Sequence, residues 1–309
     1  MEIDKPKFWQ NKKSFFSKIL LPLTFLVLVA IFLKKKISNQ KKFNIPVLCI
    51  GNIYIGGTGK TPLSMMIADE LKNIGKKPVI IKKFYKNQND EHLLIKKKTI
   101  SLISEKSRKN AINLAEKQYD LAILDDGFQD YGIKKDLSIL CFHSEQLIGN
   151  GFVFPSGPLR ENFNSIKRAQ IIIINGQENL VFEKKIYNIN ANIQLFYSNY
   201  ILNDYEKYKN TNILAIAGIG NPNNFFNLLL ENGLKIKKTF AFPDHYEFNK
   251  KELSKIIDHA KKNSYTILTT EKDFLRIEKY KLPEINYCSI DLKIKEKEKL
   301  ISLIKKIYD

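Results

Sequence analysis

The residues best suited to do chemistry form a glycine-rich run that follows a short apolar segment. Residues 51–62 read Gly-Asn-Ile-Tyr-Ile-Gly-Gly-Thr-Gly-Lys-Thr-Pro, directly after Val-Leu-Cys-Ile at 47–50. Such a loop offers a nucleoside triphosphate its backbone N–H groups, the positive end of the next helix, a lysine ammonium and a threonine hydroxyl. We therefore predict that phosphate groups are bound by Gly56, Gly57, Thr58, Gly59, Lys60 and Thr61.

The loop departs from the usual phosphate-loop pattern at one position. The pattern G-x-x-x-x-G-K-[ST] requires a glycine where this chain has Tyr54. Gly56 and Gly57 still give the backbone conformational freedom, and Pro62 is tolerated because the first turn of a helix does not use its N–H group. The alternative interpretation is a glycine-rich strand-to-helix turn that binds no ligand.

Two carboxylates follow a second apolar run, where a strand is expected to end. Asp125, Asp126 and Gly127 come directly after Leu-Ala-Ile-Leu at 121–124. Magnesium prefers oxygen ligands, so the hydroxyl of Thr61, one of these carboxylates and phosphate oxygens would form a suitable set. The residue types do not choose between the two aspartates, and Asp-Asp-Gly is also an ordinary turn sequence.

The chain of 309 residues is strongly basic, with 51 Lys and Arg against 32 Asp and Glu. A positive surface attracts phosphates, anionic lipids or nucleic acid. No zinc-finger spacing, basic-zipper heptad or RNA-recognition motif accompanies the charge, so we expect no nucleic acid as the principal ligand. Cys49, Cys141 and Cys288 are odd in number and far apart, which argues against a disulfide framework or a zinc site and for buried thiols in a reducing compartment.

An uncharged segment near the N-terminus indicates contact with a membrane. No charged residue occurs in residues 19–33, and lysines flank the segment on both sides. The segment is shorter than the roughly 20 apolar residues that a spanning helix needs. A tilted span and an interfacial helix with snorkelling lysines both fit it. We predict a retained membrane anchor within residues 1–40, because no small-residue cleavage site follows; a buried soluble helix is the alternative.

Beyond the anchor, β-rich runs alternate with helical patterns, which predicts an α/β protein with a parallel sheet. We place a P-loop NTPase-like core in residues 41–176 and a second, smaller α/β lobe in residues 177–309. The terminal helix of that lobe could pack back on the core. A less regular stretch in residues 177–210 separates the two series. Ligands should bind in the cleft between the lobes, where the carboxyl ends of the strands open.

Further motifs follow the glycine-rich loop in a definite order. They are Asp-Asp-Gly-Phe-Gln at 125–129, Gly-Asn-Gly at 149–151, Pro-Ser-Gly-Pro-Leu-Arg-Glu at 155–161, Ala-Gly-Ile-Gly-Asn-Pro at 217–222, Phe-Pro-Asp-His at 242–245 and Thr-Glu-Lys-Asp at 270–273. In order and spacing, over nearly the whole chain, they resemble the tetraacyldisaccharide 4'-kinase family, the lipid A 4'-kinases.

This resemblance implies a membrane-associated kinase. It implies transfer of the γ-phosphate of ATP to the 4'-hydroxyl of a tetraacyldisaccharide 1-phosphate during lipid A assembly, at the cytoplasmic face of the inner membrane. ATP and Mg²⁺ would be required, the partners would be the lipid substrate and the membrane surface, and no obligate protein partner is expected. Lys60 would hold the β- and γ-phosphates, while Thr61 and either Asp125 or Asp126 would bind magnesium. Phosphoryl transfer rests mainly on positioning and charge neutralisation, which suits these residue types.

The resemblance also suggests the group that accepts the proton of the sugar hydroxyl. The family pattern Gly-Asp-Glu-Pro corresponds to Asn-Asp-Glu-His at 89–92, so Asp90 is the candidate base. The family pairs this aspartate with the histidine of its Asp-His motif, which corresponds to His245, and such a pair could orient the carboxylate or raise its basicity. Without the resemblance, Asp90 and Glu91 would be interpreted as solvated loop residues and His245 as a turn residue.

Three more polar residues are candidates for the site: Gln129, Arg160 and Glu161. Arginine suits a phosphate, although Arg160 could equally form a surface ion pair. Asp244 could orient His245 or cap the helix that follows it.

One segment departs from the family pattern. Related kinases usually have Ser-Arg-Gly-Tyr-Gly after the second strand, whereas residues 82–86 read Lys-Lys-Phe-Tyr-Lys. The ammonium of Lys83 reproduces only part of the phosphate binding that the planar guanidinium of an arginine provides. The alternative function is therefore a diverged membrane-associated P-loop NTPase with another substrate or partner. The usual guanine-reading motif N/T-K-x-D is missing at residues 270–273, and a nucleic-acid-binding protein is a third interpretation, which predicts binding that falls steeply with salt.

Overall fold

The computed structural model describes residues 6–84 and 89–308, and for Asn89 and Asp90 it describes the backbone alone. Its strands are β1 (Val47–Gly51), β2 (Pro78–Lys83), β3 (Leu102–Glu105), β4 (Leu121–Asp125), β5 (Leu137–His143), β6 (Ile171–Asn175), β7 (Gln194–Leu202), β8 (Asn212–Ala217), β9 (Lys235–Ala241), β10 (Tyr265–Thr270), β11 (Ile285–Cys288) and β12 (Ile290–Ile294). Its α-helices are α1 (Phe15–Ile19), α2 (Leu21–Ile37), α3 (Lys60–Asn73), α4 (Asn89–Lys97), α5 (Arg108–Ala115), α6 (Leu180–Ile189), α7 (Pro222–Glu231), α8 (Lys250–Lys262), α9 (Glu271–Ile277) and α10 (Lys297–Lys305). Short 3₁₀ helices lie at Lys7–Gln10, Phe163–Arg168, Glu206–Tyr208 and Glu278–Tyr280.

Within the described residues the strands form two sheets. The larger has eight strands in the order β12-β7-β6-β5-β1-β4-β2-β3, and the smaller has four in the order β11-β10-β8-β9. Neighbouring strands are parallel in both sheets, except that β12 runs antiparallel to β7. The predicted α/β class with two lobes therefore matches the structure.

Strands β1 and β4 lie side by side at the centre of the larger sheet, and every residue of both is buried. Such continuously apolar strands are typical of a parallel sheet that is covered on both faces. Ile50 pairs with Asp125 in register. Because the carboxyl ends of parallel strands meet at one edge of a sheet, this pairing brings the glycine-rich loop next to the two aspartates.

Helix α3 packs against the sheet behind the loop. Its residues Leu63, Ile67 and Leu71 recur every four positions and are fully buried, which is the pattern of a helix with one face on a core. The helix ends just before Gly75, whose φ of 84° is the left-handed conformation that glycine accommodates at helix ends. This helix therefore holds its N-terminus firmly at the sheet edge.

The smaller sheet has an apolar core on each face. Phe225 and Leu229 of α7 pack on one face, and Leu253 and Ile257 of α8 pack on the other. These strands and helices form the second lobe, which opposes the carboxyl edge of the larger sheet.

The two sheets do not divide the chain at residue 176, where we placed the boundary. Strand β7 pairs with β6 and strand β12 pairs with β7, so both belong to the larger sheet. Helix α10 also packs on the larger sheet, through Leu300, Ile301 and Ile304. The smaller sheet therefore lies between β7 and β12 in the chain. The stretch 177–210, predicted to be less regular, contains α6 and β7. The polar residues Gln194, Ser198 and Asn199 interrupt the apolar pattern of β7.

The N-terminal helices are attached to the core by buried polar contacts. Thr24 of α2 is 4% exposed, and its hydroxyl lies 2.7 Å from Ser156 Oγ and 3.1 Å from the carbonyl oxygen of Val153. The indole of Trp9 is buried and donates a hydrogen bond to the carbonyl oxygen of Pro155. These contacts fix the segment on the loop that leads to Arg160.

The outward face of α1 and α2 is apolar. Phe15, Phe16, Phe25 and Phe32 are each more than 60% exposed. In the part of the chain that the structure describes, no helix is both long and apolar enough to cross a membrane.

Candidate active site

The glycine-rich loop joins β1 to α3 as a sharp turn. Gly56 and Gly59 have φ angles of 131° and 88°, which side chains rarely tolerate. A Cβ at Gly59 would lie 3.0 Å from the hydroxyl of Tyr200. The loop therefore needs glycine at this position for both conformation and space, and its backbone N–H groups lie at the N-terminus of α3.

Tyr54 explains the departure from the usual pattern. Its ring is buried, its backbone forms a bridge to Leu159, and its hydroxyl accepts a hydrogen bond from Gln10 at 2.9 Å. The next residue, Ile55, donates its N–H to the carbonyl oxygen of Pro158 at 2.8 Å. Extended backbone at Tyr54 tolerates a side chain, so a glycine is not needed there.

A buried asparagine shapes the middle of the loop. Asn52 donates from Nδ2 to the carbonyl oxygen of Gly56 at 3.2 Å and to the hydroxyl of Thr58 at 2.9 Å. Thr58 is 2% exposed. The Thr58 side chain thus supports the loop from within, and the part of Thr58 that suits a phosphate is its backbone N–H.

The two aspartates after β4 have different partners. Asp125 is 1% exposed and accepts a hydrogen bond from Thr61 at 2.7 Å. Asp126 is oriented towards Arg160, which donates to its two oxygens at 2.8 and 2.9 Å, and towards Lys60, at 3.7 Å. Burial alone would raise the pKa of Asp126, but the charges of Lys60 and Arg160 outweigh it and hold this pKa well below its usual range.

Asp125 is the aspartate that fits a metal ion. Its second oxygen, Oδ1, is buried and has no hydrogen-bond partner among the described residues. Magnesium takes carboxylate, hydroxyl, phosphate and water oxygens in octahedral geometry. Asp125 and Thr61 therefore offer a compatible pair. The described residues hold no cluster of three or more His, Cys, Asp or Glu suited to a metal.

A buried lysine lies against the same pair. Lys82 is 5% exposed, and its Nζ lies 2.5 Å from Asp125 Oδ2, 2.5 Å from Glu91 Oε2 and 3.2 Å from Thr61 Oγ1. Burial alone would lower the pKa of Lys82, but the charges of Asp125 and Glu91 raise it above its usual range. Burial likewise would raise the pKa of Glu91, while Lys82 and Lys272 hold it well below its usual range.

Glu91 also connects the two lobes. Its Oε1 lies 3.4 Å from Nζ of Lys272 in α9, and that ammonium lies 3.3 Å from Asp244 Oδ1 and 3.5 Å from His245 Nε2. His245 has a φ of 55°, a left-handed conformation that costs energy in a non-glycine residue and often occurs at functional sites. The side chain of Asp90, the predicted base, lies outside the described residues.

The second lobe reaches the phosphate loop through the turn after β8. A Cβ at Gly220 would lie 3.6 Å from the backbone nitrogen of Gly57. The turn is held by buried Asp273, which accepts hydrogen bonds from the Gly218 N–H and the Thr270 hydroxyl and forms an ion pair with Arg276. Between the lobes lies a cleft of about 420 Å³.

Glu161 and Gln129 lie behind the cleft. Glu161 is 1% exposed and pairs with Arg168 at 2.6 Å and with Lys35 of α2 at 2.9 Å. Gln129 donates from Nε2 to Glu161 at 3.1 Å and lies 3.4 Å from Arg160 through Oε1. Burial would raise the pKa of Glu161, but Arg168 and Lys35 lower it. Gln129 thus contacts Arg160 directly, and Glu161 acts on Arg160 only through Gln129.

A family model described as Tetraacyldisaccharide-1-P 4'-kinase matches residues 16–309. The chain belongs to this family. A tetraacyldisaccharide 4'-kinase of Pelagibacter ubique is 43% identical over 316 aligned positions, which cover 100% of this chain and 99% of the relative. The Haemophilus influenzae kinase is 31% identical and covers 85% and 83% of the two chains. The crystal structure of Aquifex aeolicus LpxK in complex with ATP is 26% identical, covers 95% and 99%, and superposes with a TM-score of 0.75.

Membership of this kinase family and the similarity to the Aquifex structure confirm the predicted fold class. Most of the predicted site residues line the one cleft: Gly56, Gly57, Thr58, Gly59, Lys60, Thr61, Asp125, Asp126, Arg160 and His245. Sequence reasoning gave no role to Lys82, Glu91 or Lys272, which also line it. A lysine at the end of the apolar strand β2 was the available signal for the first of these.

Proposed function

We propose that this protein is an ATP-dependent kinase that transfers the γ-phosphate of ATP to the 4'-hydroxyl of tetraacyldisaccharide 1-phosphate in lipid A biosynthesis. One observation carries the proposal: in a chain of this family, the phosphate loop and His245 face each other across a single cleft. A nucleotide on one wall and a lipid headgroup against the other would bring donor and acceptor together, which is the main requirement of phosphoryl transfer.

The nucleotide would be bound by the loop N–H groups, Lys60 and Arg160. Asp126 supports this role because it holds both cations at the loop, at 3.7 Å from Lys60 and 2.8 Å from Arg160. Cations placed before the substrate arrives need little reorganisation as charge develops on the transferred group. Asp126 is thus proposed as a positioning residue rather than as a metal ligand.

Magnesium would be held by Thr61 and Asp125 together with phosphate oxygens and water. The proposal rests on the unpaired Oδ1 of Asp125 and the 2.7 Å contact between the two side chains. The bound ion would neutralise charge on the β- and γ-phosphates.

Asp90 is proposed to accept the proton of the 4'-hydroxyl, with His245 as the group that orients it. The backbone supports this pairing, since Asp90 precedes Glu91 in α4 and Glu91 contacts Lys272, which lies 3.5 Å from His245. This turn of α4 is therefore close to the wall of the second lobe. A positioned base contributes roughly 10²- to 10⁴-fold to such a reaction.

The N-terminal helices are proposed to rest on the cytoplasmic face of the inner membrane. Their outward phenylalanines form an exposed apolar face beside several lysines, which suits a helix lying in the interface of an anionic bilayer. Because the same helices are attached to the loop before Arg160, this orientation would keep the cleft close to a lipid substrate.

The test is transfer of ³²P from γ-labelled ATP to tetraacyldisaccharide 1-phosphate in mixed micelles, with and without magnesium. The proposal predicts labelled lipid with the wild type and none with Lys60→Ala, which removes the ammonium from the phosphate loop. Wild-type turnover in Lys60→Ala would contradict the assignment of the phosphate loop. Hydrolysis of ATP by the wild type without labelled lipid would favour the diverged membrane NTPase.

A further inference from the structure

Lys82 places a positive charge beside the position where a metal ion is expected. Its ammonium contacts oxygens of Thr61, Asp125 and Glu91 at 3.2, 2.5 and 2.5 Å. The side chain is nearly sealed from solvent, at 7% exposure, and it follows the buried apolar residues 78–81 near the carboxyl end of β2. The ammonium therefore lies between the buried carboxylate of Asp125 and the partly buried carboxylate of Glu91, which also contacts Lys272.

A divalent ion and this ammonium compete for the Thr61 hydroxyl oxygen and would both lie against the Asp125 carboxylate. Magnesium lies about 2.0–2.1 Å from its oxygen ligands. An ion held by Thr61 and by the free Oδ1 of Asp125 would take the Thr61 oxygen that the ammonium now contacts, and it would lie within a few ångströms of Nζ. Like charges at such a separation inside a protein repel strongly. The present position of the Lys82 ammonium therefore disfavours a bound metal.

We propose that Lys82 is a tethered cation that lies beside the metal position in the nucleotide-free protein and gives way when magnesium arrives with the nucleotide. The inference rests on the magnesium site proposed above. The ammonium has somewhere to go, because Lys82 and Lys60 line the same cleft of about 420 Å³. Phosphate oxygens beside Lys60 would accept its hydrogen bonds in exchange for those of the carboxylates.

This arrangement has a consequence for the order of binding. Free metal alone must displace the ammonium without offering it a new partner, so its binding is weak. Metal that enters as a nucleotide complex brings the replacement partner with it, so its binding is strong. Lys82 thereby acts as a positioning residue that keeps Asp125 and Glu91 together before the substrate binds and makes metal binding depend on nucleotide.

The test is a Mn²⁺ titration followed by electron paramagnetic resonance, with and without a non-hydrolysable ATP analogue. Lys82→Met removes the ammonium and keeps the length of the side chain. Lys77→Met, at the exposed residue just before β2, is the control for the loss of one positive charge. Without nucleotide, Lys82→Met should bind Mn²⁺ at least about tenfold more tightly than the wild type, since the buried carboxylate of Asp125 loses its ammonium partner. Lys77→Met should equal the wild type.

The outcomes separate this inference from the magnesium site itself. If the wild type binds no Mn²⁺ even with the analogue, the magnesium site is wrong. If the wild type binds Mn²⁺ with the analogue, but Lys82→Met binds free Mn²⁺ no more tightly than the wild type, the role of Lys82 is wrong. Should Lys82→Met fail to fold, the same comparison is made in a Glu91→Gln background, where one carboxylate charge is gone. Tighter binding by the double variant than by Glu91→Gln supports the proposal, and equal binding overturns it.

Discussion

Glu161 links the N-terminal helices to the core, and its neutralisation should measurably destabilise the protein. The carboxylate is 1% exposed and lies 2.6 Å from Arg168 and 2.9 Å from Lys35 of α2. It also accepts a hydrogen bond from Gln129 at 3.1 Å. In Glu161→Gln the amide keeps one acceptor oxygen but turns an NH₂ group towards a cation. The variant should therefore weaken the attachment of α2 to the loop that contains Arg160.

The size of the effect follows from these contacts. A hydrogen bond to a charged group contributes roughly 1.5–3 kcal/mol. Lys35 and Arg168 are 38% and 34% exposed, so solvent screening reduces the sum of the two ion pairs. We expect Glu161→Gln to lower the free energy of unfolding by about 2 kcal/mol. That corresponds to a fall in Tm of roughly 4 °C for a chain of this size.

The effect should depend on pH with a definite sign. The pKa of Glu161 is lowered by Arg168 and Lys35 from its ordinary value of 4.5, although burial opposes them. A lowered pKa in the folded state stabilises the protein above the unfolded pKa, and the gain is lost as pH falls through the folded pKa. The difference in the free energy of unfolding between wild type and Glu161→Gln should thus be constant between about pH 6 and 8. It should shrink as the pH falls below the ordinary pKa of a glutamate.

The assay is urea unfolding followed by circular dichroism and by the fluorescence of Trp9. This residue is the single tryptophan of the chain and is buried against Pro155, so it reports on the attachment of the N-terminal segment. Glu206→Gln is the matched control, because Glu206 pairs with Lys209 on the surface and should give no measurable change. Equal stability of Glu161→Gln and wild type, or a difference that persists unchanged at acidic pH, would refute the reasoning.

Three further outcomes are expected. In Mn²⁺ titrations with an ATP analogue, Asp125→Asn should bind the metal at least about tenfold more weakly than the wild type, while Asp126→Asn binds it as the wild type does. The reverse result would make Asp126 the metal ligand. Asp90→Ala should lower kcat by roughly 10²- to 10⁴-fold with ATP affinity unchanged, and an unaltered kcat in steady-state assays would remove it from the mechanism. Replacing exposed Phe25 and Phe32 by serine should reduce co-sedimentation with anionic vesicles without altering nucleotide binding, and undiminished co-sedimentation would exclude this face as the membrane contact.

The local parts of the site could be predicted from the sequence. The phosphate loop is a contiguous run between a strand and a helix, so its residue types, its glycine conformations and the helix N-terminus are all encoded within residues 47–62. The α/β class followed for the same reason, because hydrophobic periodicity is a property of neighbouring residues. The sequence shows that Tyr54 departs from the phosphate-loop pattern. Only the structure shows why this position accepts a side chain, because its extended backbone forms a bridge to Leu159.

Contacts between distant residues were decided only by the tertiary structure. Strand β12 joins the larger sheet by pairing with β7, although some ninety residues separate them. Asp125 and Asp126 look alike in sequence, and they differ because Thr61 and Lys82 approach one while Arg160 approaches the other. Short-range patterns specify which elements form, whereas the energies of buried charges depend on partners that the folded chain brings together.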